Sequence, residues 1–203
     1  MRQSFFGGRG KFVSLLLVTA FSSIAPGFAA DPAFNSVQNI VNVFAGSTNY
    51  NSAAKYIDYD AMSQRSLGAG EWAKLNVKQK HDYAAALRGL MEQRYYPRWH
   101  RIFSKSKVEY VSKSNSGSDV LVKTNLVVGK KKDEMTWRLS EHSDKIISLS
   151  IGEKDLLDRL TNRLQPKLKK SGFPATLAWM QSHAKEPDEI KTSSADSVLG
   201  EAQ

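Results

Sequence analysis

Four histidines, a close pair of aspartates and one serine–lysine string are the residues of this chain whose types could do chemistry. His81, His100, His142 and His183 are spaced too widely for a local metal motif, which needs donors a turn or a short loop apart. Asp58 and Asp60 stand two apart, and on a helix such residues do not face each other. They read as capping or solvated carboxylates rather than an acid–base pair. Ser104-Lys-Ser-Lys107 matches a serine-x-x-lysine string, but it sits at a strand entrance in a lysine-rich stretch. No Gly-rich phosphate loop joins a strand to a helix, and no nucleophile elbow is present. The chain therefore offers no catalytic residue, metal ligand or cofactor motif.

One segment is richer. Arg94-Tyr-Tyr-Pro-Arg-Trp-His-Arg-Ile-Phe103 interleaves basic and aromatic residues. Such a surface can stack nucleic-acid bases. It can equally be a helix end whose aromatics reach the core while the arginines stay wet. A third reading is a pocket rim, where tyrosine and tryptophan suit an apolar–polar boundary.

The elements that position these residues follow from periodicity. Asp31-Pro32 can cap and begin a helix on which Val37, Ile40, Val41 and Phe44 form one apolar stripe. A second helix is expected from Ser52 to Leu67, ending at Gly68-Ala-Gly70. A third starts at the capping-box pattern Asn76-Val-Lys-Gln79 and lines up Tyr83, Leu87, Leu90, Met91 and Tyr95, with Pro97 expected to end or kink it near Tyr96. The period then changes to two. Val108–Val111, Asp119–Val128, Glu134–Leu139 and Lys145–Ile151 read as four strands joined by short turns, an antiparallel meander. Helical spacing returns with Leu156, Leu157, Leu160 and Leu164, and Pro174 opens a last short helix after Gly172. The fold class is α+β, with a four-stranded antiparallel sheet packed against several helices.

Residues 1–29 carry an address. Arg2, Arg9 and Lys11 precede the apolar run 12–21, and Gly27-Phe-Ala29 offers small residues for cleavage. This is the layout of a secretory signal peptide. Ten apolar residues span about 15 Å as a helix, half the ~30 Å hydrocarbon core of a bilayer. Residues 30–185 are expected to form one domain, and 186–203 a disordered acidic tail. With no cysteine, disulfides, thiolate zinc sites and a lipid-modified cysteine are all excluded.

The whole chain carries +9. The leader supplies three cations and the tail a net −4, so residues 30–185 hold a net +10. In an exported protein such a balance points to anionic lipid headgroups or an acidic protein partner, not to nucleic acid.

In their order, these pieces resemble the MlaC-type, toluene-tolerance family of periplasmic proteins that serve lipid-transporting ABC systems. The residues that carry the resemblance are Ile57-Asp-Tyr-Asp-Ala-Met62, Leu67-Gly68, Trp72, Gln79, Tyr83, Leu87 and Tyr95. Beyond the strands come Ile147-Ser-Leu-Ser-Ile-Gly152, Leu156-Leu157, Gly172-Phe173 and Leu177. The chain departs from the pattern in two places. The stretch before Ile57 is short for the family, and His142–Lys145 stands where a tryptophan is usual.

The resemblance implies a carrier that holds the acyl chains of a phospholipid or related lipid in an apolar cavity between sheet and helices. It implies as partners an inner-membrane ABC lipid transporter complex and an outer-membrane lipoprotein complex. Candidate lipid-binding residues are Tyr59, Met62, Leu87, Met91, Tyr95, Val122, Leu126, Trp137, Leu149 and Leu160. Arg94, Arg98 and Arg101 are candidates for the mouth of the cavity or for docking. Two other classes stay open: a small enzyme built on a curved sheet, marked by a shifted buried acid, and a structural protein without a cavity.

Overall fold

The computed structural model describes residues 31–46 and 50–185. The leader expected over 1–29 and the acidic tail expected over 186–203 lie outside the described residues.

Helix α1 (Pro32–Gly46) buries Val37, Ile40 and Phe44 of the expected stripe together with Ala33 and Phe34, leaves Val41 half-buried, and has its Ala33 N–H accepted by Asp31 at 3.0 Å. The single helix expected from Ser52 to Leu67 is two pieces. A 3-10 helix spans Tyr50–Tyr56, and α2 spans Tyr59–Leu67. Between them Ile57 runs extended to bridge Ile146 in parallel, and Asp58 then caps α2. A β-branched residue followed by a good N-cap favours such a break. The helix ends at Gly68 as expected, while Gly70 falls inside a further short helix, α3 (Ala69–Lys74), which buries none of its residues.

Helix α4 (Val77–Leu90) starts at the expected capping box: Asn76 Oδ1 accepts the Gln79 N–H at 2.8 Å, and Gln79 Oε1 accepts the Asn76 N–H at 3.0 Å. Pro97 does not end the helical path. A π-helical turn, Met91–Tyr95, leads into α5 (Tyr96–Phe103), where Pro97 occupies the first turn. There its missing N–H costs nothing.

The sheet comprises β1 (Lys107–Ser116), β2 (Asp119–Val128), β3 (Lys131–Ser140), β4 (Ile146–Ile151) and β5 (Lys154–Asp155). They lie side by side in chain order, every neighbouring pair antiparallel. The sheet thus has five strands where four were expected. The extra strand is two residues long, too short to show any alternation. Its Asp155 caps α6 (Leu156–His183), accepting the N–H groups of Leu157 and Asp158.

One face of the sheet is apolar: Val120, Val122, Thr124, Leu126 and Val128 are buried in β2, and Met135, Trp137 and Leu139 in β3. The other face carries exposed ion pairs, Lys123 with Glu134 at 3.4 Å and Lys132 with Glu109 at 3.2 Å. Helices cover the apolar face alone, as in other one-sided antiparallel sheets. Trp137 lies at the centre of the interface, stacked on Phe103 with centroids 5.7 Å apart and donating Nε1–H to Thr124 Oγ1 at 3.0 Å. Among the described residues, no helix is long and apolar enough to cross a membrane.

Candidate functional site

The side chains capable of chemistry do not converge. Asp58 is an N-cap: its carboxylate accepts the Ala61 N–H at 2.9 Å and Ser143 Oγ–H at 3.0 Å. Asp60 sits in the first turn of the same helix. His100 donates Nδ1–H to the Phe44 carbonyl at 2.7 Å, pinning α5 to the end of α1. His183 stacks on Trp179 at 4.5 Å, while His81 and His142 are exposed. Ser104 and Lys107 are exposed too. Among the described residues, no group of three or more histidines and carboxylates could hold a metal.

Asp119 is the one buried carboxylate among the described residues. Arg65 Nη1 donates to it at 2.6 Å and Arg138 Nη1 at 2.9 Å. Those guanidinium bonds hold its carboxyl below the usual range, Arg65 contributing most. A general acid working at neutral pH needs the opposite shift. Deeper in the helical layer, the Tyr59 and Tyr96 hydroxyls bond to each other. Burial raises both phenols, Tyr96 to about 12, so they stay protonated at neutral pH.

The apolar core reaches the surface between α5 and the end of the sheet. Trp99 and Ile102 from α5, Leu149 and Ile151 from β4, and Leu156 at the start of α6 wall a cleft of about 60 Å³. Tyr95 and three cations, Arg98, Lys154 and Arg159, complete its lining. That volume is about twice the ~30 Å³ share of one water molecule. A larger opening of about 570 Å³ lies between α4 and the end of α6. Asp82, Gln93, Gln181 and Lys185 are among its walls, and no strand contributes to it. An apolar chain bound between sheet and helices needs an entrance onto that interface, so the smaller cleft is the candidate mouth.

Of the ten side chains expected to hold a lipid, Tyr95 and Leu149 line this cleft. Met62, Leu87, Met91, Val122, Leu126, Trp137 and Leu160 are each 2% exposed or less and belong to the continuous core. Leu149 links the two groups, because it pairs across the sheet with Trp137. Tyr59 is half-buried, with its hydroxyl on Tyr96.

The three arginines separate. Arg98 reaches the cleft, Arg94 donates to the His183 carbonyl at 3.3 Å, and Arg101 is exposed. The aromatic–basic segment thus serves two of its three readings at once. Tyr96, Trp99, Ile102 and Phe103 are buried, while Tyr95 and Arg98 stand at a rim. Sequence reasoning passed over Lys154 and Arg159. Their charges carry no local pattern, and only the turn from β4 into α6 brings them beside Arg98.

Three comparisons with known proteins bear on this site. A family model described as "MlaC protein" matches residues 50–182. No curated protein matches the chain. Among solved structures, the chain is similar to a phospholipid-binding protein from Ralstonia solanacearum, whose structure is a complex with a phospholipid. The TM-score is 0.61 at 13% identity, covering 75% of this chain and 94% of the other. At that identity the similarity shows a shared fold.

Proposed function

Because the chain belongs to the MlaC family, we propose that it is a phospholipid carrier of the periplasm. It takes the acyl chains of a lipid between its sheet and its helices and passes the lipid between membranes for an ABC-type transport system. The observation that carries this reading is the apolar cleft between α5 and β4, which opens directly onto the sheet–helix interface in a fold shared with a protein solved around a phospholipid. Each methylene removed from water contributes about 0.8 kcal/mol, so two acyl tails favour enclosure by roughly 20 kcal/mol. A carrier must therefore supply an apolar slot and a way in, and it needs no catalytic group. The cleft as it stands is far below the ~300 Å³ of the smallest ordinary ligand sites. Lipid entry accordingly parts α5 from β4 and draws on the core behind Leu149, where most of the ten candidate residues lie.

The leader delivers the chain to the periplasm. Arg94 and Arg101, away from the cleft, serve for docking to the transporter complex at the inner membrane and the lipoprotein complex at the outer one.

The test is direct. The protein is purified from bacterial periplasm without detergent, and its bound lipids are identified by native mass spectrometry and solvent extraction. Stoichiometric phospholipid is expected. Leu149→Trp, which fills the cleft, lowers the co-purified lipid several-fold while thermal unfolding stays cooperative. A protein that emerges empty, and remains so after incubation with liposomes, overturns the carrier reading.

A further inference from the structure

We propose that the mouth of the cleft selects lipids with a net-negative headgroup, held by Arg98, Lys154 and Arg159 while the acyl chains enter over Trp99, Leu149 and Leu156. The inference rests on the carrier reading and adds to it the charge class of the cargo. The three cations come from three separate elements, α5, β5 and the first turn of α6, and converge on one apolar opening. No described carboxylate lines it. Of the acids beside these cations in sequence, Glu153 and Asp158 are exposed and outside the lining, and Asp155 is held within the fold. Its Oδ1 accepts Ser148 Oγ–H at 2.7 Å and the Leu157 N–H at 2.7 Å.

Cations set against low-dielectric walls act on a ligand more strongly than the same charges in open water. Guanidinium groups add a planar fork matched to phosphate oxygens. A zwitterionic headgroup brings its own cation against the like charges of Lys154 and Arg159, whereas a net-anionic phosphodiester does not. The overall basic charge of the domain cannot make this distinction at the level of one molecule, since it attracts any anionic surface alike. A soluble phosphate ester would meet the same cations but leave the apolar walls unused.

The experiment incubates the lipid-free protein with vesicles of phosphatidylglycerol and phosphatidylcholine in equal amounts, with identical acyl chains. The protein is then separated and its lipid quantified. Wild type is expected to carry phosphatidylglycerol in excess by about tenfold, the scale set by surface cations acting on one added negative charge. In a Lys154→Gln, Arg159→Gln double variant the ratio falls toward one. Both positions are exposed, and circular dichroism checks that the fold is kept. Equal uptake of the two lipids by wild type, or an unchanged ratio in the variant, overturns the proposal. So does a block of uptake by millimolar glycerol phosphate, which would make the site one for soluble anions. Uptake of neither lipid by wild type is a separate result: it removes the carrier reading itself and the headgroup proposal with it.

Discussion

Asp119 opens β2, and two arginines from different elements close on it, Arg65 from α2 and Arg138 from β3. The carboxylate is 6% exposed, but the guanidinium side chains are 31% and 37% exposed, so water screens much of the attraction. Removing the charge with Asp119→Asn is expected to cost about 2 kcal/mol at pH 7, the scale of hydrogen bonds to charged groups. The sign of the pH dependence comes from the lowered folded-state value. Asp119 contributes stability above the unfolded carboxyl range, and that contribution is lost as pH falls through its folded value. Urea unfolding of wild type and variant should therefore show a gap at pH 7 that narrows as the pH drops below about 4. A gap independent of pH would mean that shape, not charge, is what Asp119 supplies.

At the level of elements, the long helix α6 is interrupted at Gly172, which adopts φ 77° and ψ 176°. Backbone of this kind is essentially confined to glycine. A Cβ added there would meet nothing within 4 Å, so any cost comes from the backbone and not from crowding. Gly172→Ala should lower stability by about 2 kcal/mol, read from chemical or thermal unfolding. A variant as stable as wild type would show that the second half of the helix can re-register without loss. The break matters because it re-aims residues 173–183, so that Phe173 lies 6.4 Å from Tyr83 and Arg94 meets the His183 carbonyl. Helix α1 precedes the segment that matches the family, yet it is integral to the core. Phe44 is fully buried, with ring centroids 4.9 Å from Tyr96 and 5.2 Å from Trp99, and Lys113 of β1 pairs with Asp31 beside its start.

Across the whole molecule, the core is continuous from α1 through the sheet to α6. Interiors packed in this way do not need a bound molecule to hold their shape. The lipid-free protein is therefore expected to unfold in one cooperative transition with an intact near-ultraviolet signal, and lipid loading should raise the midpoint by mass action. Strong binding of a hydrophobic dye with loss of the near-ultraviolet signal, in the absence of lipid, would show instead that the ligand completes the core. Under the proposed function, the carrier alternates between this closed packing and an expanded, loaded one. The closed packing spares an empty carrier from exposing apolar surface to water.

The class of fold, the limits of β2, the capping box of α4 and the stripe of α1 were legible in the sequence. Each is a local pattern: alternation, a cap at fixed spacing, or an apolar face repeating at the helical period. The extra strand β5 and the break before α2 were not. The strand is two residues long, too short to show alternation, and exists by pairing with β4; the break depends on what Ile57 meets far along the chain, the backbone of Ile146. The cleft was legible least of all. Periodicity shows which side chains turn inward, and by that measure Met62, Leu87 and Trp137 were equal candidates with Leu149. Which inward side chain borders a gap, and which distant cations gather at its edge, is decided only when α5, β4 and α6 pack together. A volume left between three elements is a property of all three, and no one of their sequences contains it.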